Sequence, residues 1–181
     1  MYQKHLKIIL SSNMKHLINL LILFIILISL QSSSGIKSIP ASSKEFDYSI
    51  KVVGIVDGDT FKGLTKDNIE IRYRIHGIDA PERYQPFSDK SKQYLSDLIF
   101  NKKVGIIVQK ESDRYGRPVV WVFTPEGNDV SAELIKAGMA WHSKAYSDDA
   151  HYAKLEIEAR DRKIGLWSDA SPIAPWEFRR K

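Results

Sequence analysis

Ile69 to Ile78 reads IEIRYRIHGI, and Asp79-Ala80-Pro81-Glu82 follows it directly. Apolar side chains recur at alternate positions, at Ile69, Ile71, Tyr73 and Ile75. That period of two belongs to a strand with one buried face. On the N-terminal side, Tyr48 to Phe61 combines short β-rich runs with an Asp57-Gly58-Asp59 turn. On the C-terminal side, Val104 to Gln109 (VGIIVQ) and Val119 to Phe123 (VVWVF) add two strands, the second leading into a Pro125-Glu126-Gly127-Asn128 turn. One-sided alternation suits an antiparallel sheet closed on itself better than a parallel sheet covered on both faces. Three helices complete the pattern. Ser88 to Phe100 places Tyr94, Leu95, Leu98 and Ile99 on one face, Val130 to Ala137 ends at Gly138, and Ser147 caps a helix that stops at Gly165. The predicted fold class is α+β, mainly β, a small barrel decorated by helices.

Four segments follow from composition. Residues 1–34 contain Leu17 to Leu30, LINLLILFIILISL, behind Lys4, Lys7 and Lys15 and ahead of Ser32, Ser33, Ser34 and Gly35. A basic start, an apolar run shorter than the roughly 20 residues of a bilayer span, and small residues after it make a signal-peptide layout. A secreted protein is expected, with an uncleaved anchor at the cell surface as the alternative. Residues 35–46 read as a linker, 47–170 as the folded domain and 171–181 as a C-terminal tail. The chain is long enough for one good core, and neither a heptad nor an exposed apolar helix predicts more than a monomer or implies a protein partner.

The formal charge is +5, but three of the positive charges are the lysines ahead of the apolar run, where no acid stands. Any attraction to nucleic acid must come from local placement of charge. The absence of cysteine excludes disulfides, thiolate metal sites and cysteine nucleophiles. The five histidines show no ligand spacing, and His76, although near the acidic residues, has no required role. Trp121, Trp141, Trp167 and Trp176 read as packing residues, with Trp176 a candidate clamp on the tail. Lys102-Lys103 and Arg179-Arg180-Lys181 read as solvated charge.

Two acidic clusters carry the chemistry. Asp57-Gly58-Asp59-Thr60 lies at a strand turn, and Asp79-Ala80-Pro81-Glu82 follows a strand. Carboxylates at strand ends are hard oxygen donors of the kind Ca²⁺ or Mg²⁺ takes, and the spacing is not that of an EF-hand loop. Arg74 stands in the strand before the second cluster, and Arg117 closes Asp113-Arg114-Tyr115-Gly116-Arg117. Acids and arginines in one site suit phosphoryl chemistry, because charge gathering on a pentavalent phosphorus is neutralised by guanidinium groups and a cation while a carboxylate prepares water. Tyr115 is a candidate platform for a base.

Val56-Asp57-Gly58-Asp59-Thr60, then Arg74 to Glu82 (RIHGIDAPE), then Asp113 to Arg117 (DRYGR) resemble, in order, three motifs of staphylococcal nuclease homologues. The similarity continues through Leu134 to Ala140 and Gly165-Leu166-Trp167, so that it spans about Ser49 to Asp169. The resemblance implies an OB-type five-stranded barrel with three helices. It implies a Ca²⁺ site formed by the carboxylates of Asp59 and Asp79 and the carbonyl of Ala80, phosphate held by Arg74 and Arg117, and Glu82 as general base. The implied reaction is cleavage of DNA and RNA at the P to 5′-oxygen bond, leaving 3′-phosphate ends, with Asp57 and Asp113 in support. Ala80 stands where the best-known member has threonine, and the stretch RYQPFSDKSK after Glu82 is shorter than that member's loop. The competing expectation is a barrel that binds single strands without cutting them.

Overall fold

The structure is a computed structural model and describes residues 45–180. The expected export segment, residues 1–34, lies outside the described residues, as do linker residues 35–44. Five strands close the barrel: β1 (Tyr48–Ile55), β2 (Thr60–Leu64), β3 (Glu70–Ile75), β5 (Lys103–Lys110) and β6 (Val119–Phe123), in the order β1-β2-β3-β6-β5. A separate ladder joins β4 (Ile78–Asp79) to β7 (Trp141–His142). Four helices follow the chain as α1 (Ser88–Ile99), α2 (Val130–Lys136), α3 (Ala150–Asp161) and the short α4 (Pro175–Phe178), with a 3₁₀ turn at Gly165–Ser168. The expected α+β barrel is what the chain forms. One pairing differs from the antiparallel expectation: β3 runs parallel to β6, with Arg74 opposite Val119 and Ile75 opposite Val120.

The alternation read from the sequence fills the barrel. Ile50 and Val52, Phe61, Tyr73 and Ile75, Val104 and Ile106, and Val120 and Val122 are all buried, and the Phe61 and Tyr73 rings stack at 5.3 Å across the β2–β3 register. Leu95 and Ile99 of α1 and Leu134 and Ile135 of α2 join the same core, while Tyr94 and Leu98 pack at its margin. Burying each large apolar side chain stabilises the fold by roughly 1.5–3 kcal/mol. Lys102, expected to be solvated, donates its Nζ to the carbonyls of Asp97 (3.0 Å) and Leu98 (2.9 Å) and so satisfies orphan acceptors at the end of α1.

The run Ile69 to Ile78 is interrupted at His76-Gly77. Gly77 has φ +76°, and a β-carbon there would sit 2.8 Å from the Tyr152 ring, so both backbone conformation and space select glycine. The break ends β3 and lets β4 leave the barrel wall to pair with β7, carrying Asp79 with it.

Asp129 and Asp149 cap α2 and α3 by accepting from the second and third amides of each helix. Ser147 was the expected cap of the latter helix. It lies two residues earlier and accepts from Asp149 N at 3.3 Å instead, because the helix starts at Ala150 and Asp149 occupies the cap position. The Tyr152 hydroxyl donates to Asp129 Oδ2 at 2.6 Å and ties the two caps together.

A second cluster lies outside the barrel. Trp141, Ala159, Leu166, Trp167 and Ala174 are buried together, and Trp176 packs edge-on against Trp141 with ring centroids 5.5 Å apart. Arg160 stacks over Trp167 at 3.7 Å and donates to buried Glu156 at 3.3 Å, and Lys144 also pairs with Glu156 at 2.6 Å. This packing holds residues 171–180 against the domain, with α4 begun by proline at its first position.

Candidate active site

Turn geometry brings the two acidic clusters together. Gly58 admits the close approach: a β-carbon there would stand 2.7 Å from the Ala80 β-carbon and 2.0 Å from Ser91 Oγ. With no side chain at 58, the Asp57-Asp59 turn lies directly on Ala80, whose N–H donates to Asp59 Oδ2 at 2.8 Å. Asp59 Oδ1 accepts from the Thr60 hydroxyl at 3.1 Å. Asp59 and Asp79 are only 7% and 5% exposed, so they need partners. Arg74 supplies one: its Nη2 lies 3.2 Å from Asp59 Oδ2 and 3.3 Å from Asp79 Oδ1. The same guanidinium donates to the carbonyls of Ile75 at 2.6 Å and Ile78 at 2.8 Å, which lock it across the β3–β4 break.

Arg117 approaches from the other side. Its Nη1 donates to Thr60 Oγ1 at 3.3 Å, while Nε and Nη2 donate to Asp113 Oδ2 at 2.9 and 2.7 Å. Asp113 Oδ1 accepts from the amides of Tyr115 (2.8 Å) and Arg117 (3.0 Å), so one carboxylate folds the loop and aims the guanidinium. Burial pushes the Asp113 carboxyl up, but the hydrogen bonds from Arg117 and Tyr115 outweigh it and leave the pKa below its ordinary value. Tyr115 is 66% exposed beside the cluster, with the Arg114 and Arg117 guanidinium groups 4.8 and 5.2 Å from its ring centroid.

Glu82 is half-exposed at the cluster's edge. Its N–H donates to Gln85 Oε1 at 2.9 Å, Gln85 N–H donates back to the Glu82 carbonyl at 2.9 Å, and buried Gln85 donates Nε2 to the Ile173 carbonyl at 2.6 Å. The Glu82 loop is thereby pinned to the C-terminal segment. Arg179, just past α4, donates from Nη1 to Glu82 Oε1 and Asp79 Oδ1 and from Nη2 to Asp79 Oδ2 at 2.9 Å. The bonds to Asp79 hold its pKa above the ordinary guanidinium value against opposing burial, and Glu82 adds to the rise. Burial, and then the Asp59 charge, push Asp57 up to about 6, although its Oδ1 accepts from Asp59 N–H at 3.1 Å. Burial, and then Arg74, hold His76 below its ordinary pKa, and its ring packs edge-on to Trp121 at 4.5 Å.

The structure gathers Asp59, Arg74, Asp79 and Ala80 into direct contact, joins Arg117 to them through Thr60, and joins Glu82 to them through Arg179. Tyr115 flanks the group. Two residues escaped the sequence reading. Arg179 was read as solvated charge, but packing of Ala174 and Trp176 turns it back onto Asp79; nothing in Arg179-Arg180-Lys181 distinguishes it from its neighbours. Gln85 had no motif to mark it.

Among the described residues no three His, Cys, Asp or Glu side chains converge as a ready cage. The donors that do meet, two buried carboxylates beside the Ala80 backbone, are all hard oxygens and fit a hard cation rather than zinc.

The family model described as Staphylococcal nuclease homologue matches residues 72–169, which take in Arg74, Asp79, Glu82 and Arg117. An "Uncharacterized endonuclease" of Haemophilus influenzae is 44% identical over 131 residues, covering 72% of each chain. A "Micrococcal nuclease" of Shigella flexneri is 38% identical over 155 residues, covering 80% of this chain and 86% of its own. "Protein ParB" of Escherichia coli is 38% identical over 143 residues, covering 72% and 78%. With the family model spanning more than half of it and relatives 38–44% identical over most of its length, the chain belongs to the family of staphylococcal nuclease homologues.

Proposed function

We propose that the chain is a calcium-dependent endonuclease that hydrolyses DNA and RNA to 3′-phosphate products. Nuclease action itself follows from family membership and from the relatives above; the cation, the roles of individual residues and the product are this proposal. The observation that carries it is the placement of Arg74 and Arg117 on two sides of the Asp59-Thr60 corner, at 3.2 and 3.3 Å, with Asp79 alongside.

Asp59 and Asp79, with the Ala80 carbonyl, would hold Ca²⁺. The ion, when bound, supplies positive charge against the phosphate. Arg74 and Arg117 bind the phosphate's non-bridging oxygens and offset the charge that grows there as phosphorus becomes pentavalent. Glu82 accepts a proton from the attacking water, whose oxygen forms the new bond to phosphorus in line with the breaking bond to the 5′-oxygen. The departing 5′-oxygen takes a proton from solvent. Tyr115 offers its exposed face to an adjacent unpaired base. Export directed by residues 1–34 belongs to the same proposal, and recovery of a shortened chain from culture medium tests it.

Activity on denatured DNA is measured with Ca²⁺ and with chelator, for the parent and Glu82→Gln. Calcium-dependent cleavage that falls ~10²-fold or more in the variant is expected. Binding without cleavage at any calcium concentration would sink the enzymatic reading in favour of a strand-binding module, and an unimpaired Glu82→Gln would remove Glu82 as base.

A further inference from the structure

Arg179 stands apart from the other two arginines in what it touches. Arg74 bridges Asp59 and Asp79, and Arg117 pairs with Asp113 and Thr60, but Arg179 binds both oxygens of Asp79 and also Glu82. We propose that Arg179 is a further functional residue of the site, a positioning residue that holds Asp79 and Glu82 in the cation-free protein and competes with the divalent cation for Asp79. The inference rests on the reading of Asp59 and Asp79 as cation ligands.

Charge and anchoring both lead to this assignment. Asp59, Asp79 and Glu82 bring three negative charges, and Arg74 and Arg179 answer two of them. Without Arg179 the group moves from one uncompensated negative charge to two, which strengthens its pull on a cation. Each Asp79 oxygen already faces an N–H: Oδ2 faces Arg179 at 2.9 Å, and Oδ1 faces both Arg74 and Arg179 at 3.3 Å. A cation at Asp79 competes with these donors for the carboxylate's lone pairs and for its charge. Arg74 is locked by the carbonyls of Ile75 and Ile78, and its side chain is only 18% exposed. Arg179 has a 45% exposed side chain at the end of a four-residue helix and has no backbone carbonyl holding its guanidinium among the bonds that fix it to the site. It is the one free to yield. Its release also frees Glu82, so occupation of Asp79 and liberation of the base become one event.

Calcium binding by titration calorimetry without nucleic acid, and melting with and without calcium, test the idea on the parent, Arg179→Met and Arg180→Met. Arg180 is an exposed neighbour, so its variant removes equal charge without the contact. Arg179→Met is expected to bind calcium on the order of tenfold more tightly and Arg180→Met within about twofold of the parent. Arg179→Met also melts lower than the parent without calcium, and the gap narrows when calcium saturates. A purely structural arginine predicts weaker or unchanged calcium binding in step with lost stability. Equal affinity in the parent and Arg179→Met, or equal tightening by Arg180→Met, overturns the inference alone when the parent binds calcium and Asp59→Asn abolishes it. No calcium binding in either the parent or Arg179→Met overturns the cation reading and this inference with it. If Arg179→Met fails to fold, Arg179→Lys keeps the charge without the forked contact and is expected to bind about threefold more tightly; no gain overturns the proposal.

Discussion

The two arginines at the Asp59-Thr60 corner are held in opposite ways. Arg74 comes from a strand, ties two carboxylates from separate turns and fastens the β3–β4 break through two backbone carbonyls. Arg117 comes from a loop that its own Asp113 organises, and its hydrogen bond to Thr60 at 3.3 Å is its side-chain link to the barrel. Removing Arg74 strips buried Asp59 of its guanidinium and the Ile75 and Ile78 carbonyls of their donor, while Asp79 keeps Arg179. Removing Arg117 leaves a loop already closed by backbone bonds such as Gly116 N–H to the Asp113 carbonyl at 3.0 Å. The difference teaches that Arg74 is built into the fold as well as into the proposed site, whereas Arg117 is tied to little beyond its own loop and Thr60.

The largest effect expected is therefore on Arg74. In cation-free urea unfolding, Arg74→Met loses about 3–5 kcal/mol, the cost of stranding a buried partner, while Arg117→Met stays within about 1 kcal/mol of the parent. Arg117→Met nonetheless cleaves ~10²–10³-fold more slowly. Similar stability losses in the two variants would erase the distinction. Next in size, Tyr115→Ala weakens binding of an unpaired oligonucleotide, measured by anisotropy in chelator, by about 1–3 kcal/mol and leaves melting unchanged; undiminished affinity would leave Tyr115 as a loop residue only. The smallest effect concerns Asp113. Its folded pKa is depressed, so its contribution is full above the ordinary carboxylate range and fades as pH falls through the folded value. Between neutral pH and about pH 3 the parent should lose more stability than Asp113→Asn, by under about 1 kcal/mol given partial exposure. Parallel pH profiles would show that the Arg117 loop is not held by this carboxylate.

How much of this was legible follows the same division. Strand periodicity exposed the barrel because inward and outward residues differ in kind, as at Ile71, Arg72, Tyr73 and Arg74. The motif residues were legible because glycine and proline fix the turns that carry the acids. The parallel β3–β6 pair was not legible, since one-sided alternation favours an antiparallel sheet as a whole and does not mark a single parallel pair within it. The break at Gly77 was also hidden: its positive φ and the Tyr152 ring that leaves no room for a β-carbon both arise only on folding. Arg179 was missed for a related reason. Its place depends on Trp141, Trp167, Ala174 and Trp176 meeting across distant segments, and no local pattern encodes that meeting.

The parallel β3–β6 pair has a consequence in time. It sets Arg74 opposite Val119, two residues beyond Arg117, across a separation of scores of residues in the chain. Such long-range pairing closes slowly compared with hairpins. Until it closes, Arg74 and Arg117 do not flank the Asp59-Thr60 corner from its two sides, so the site assembles only as the barrel itself closes.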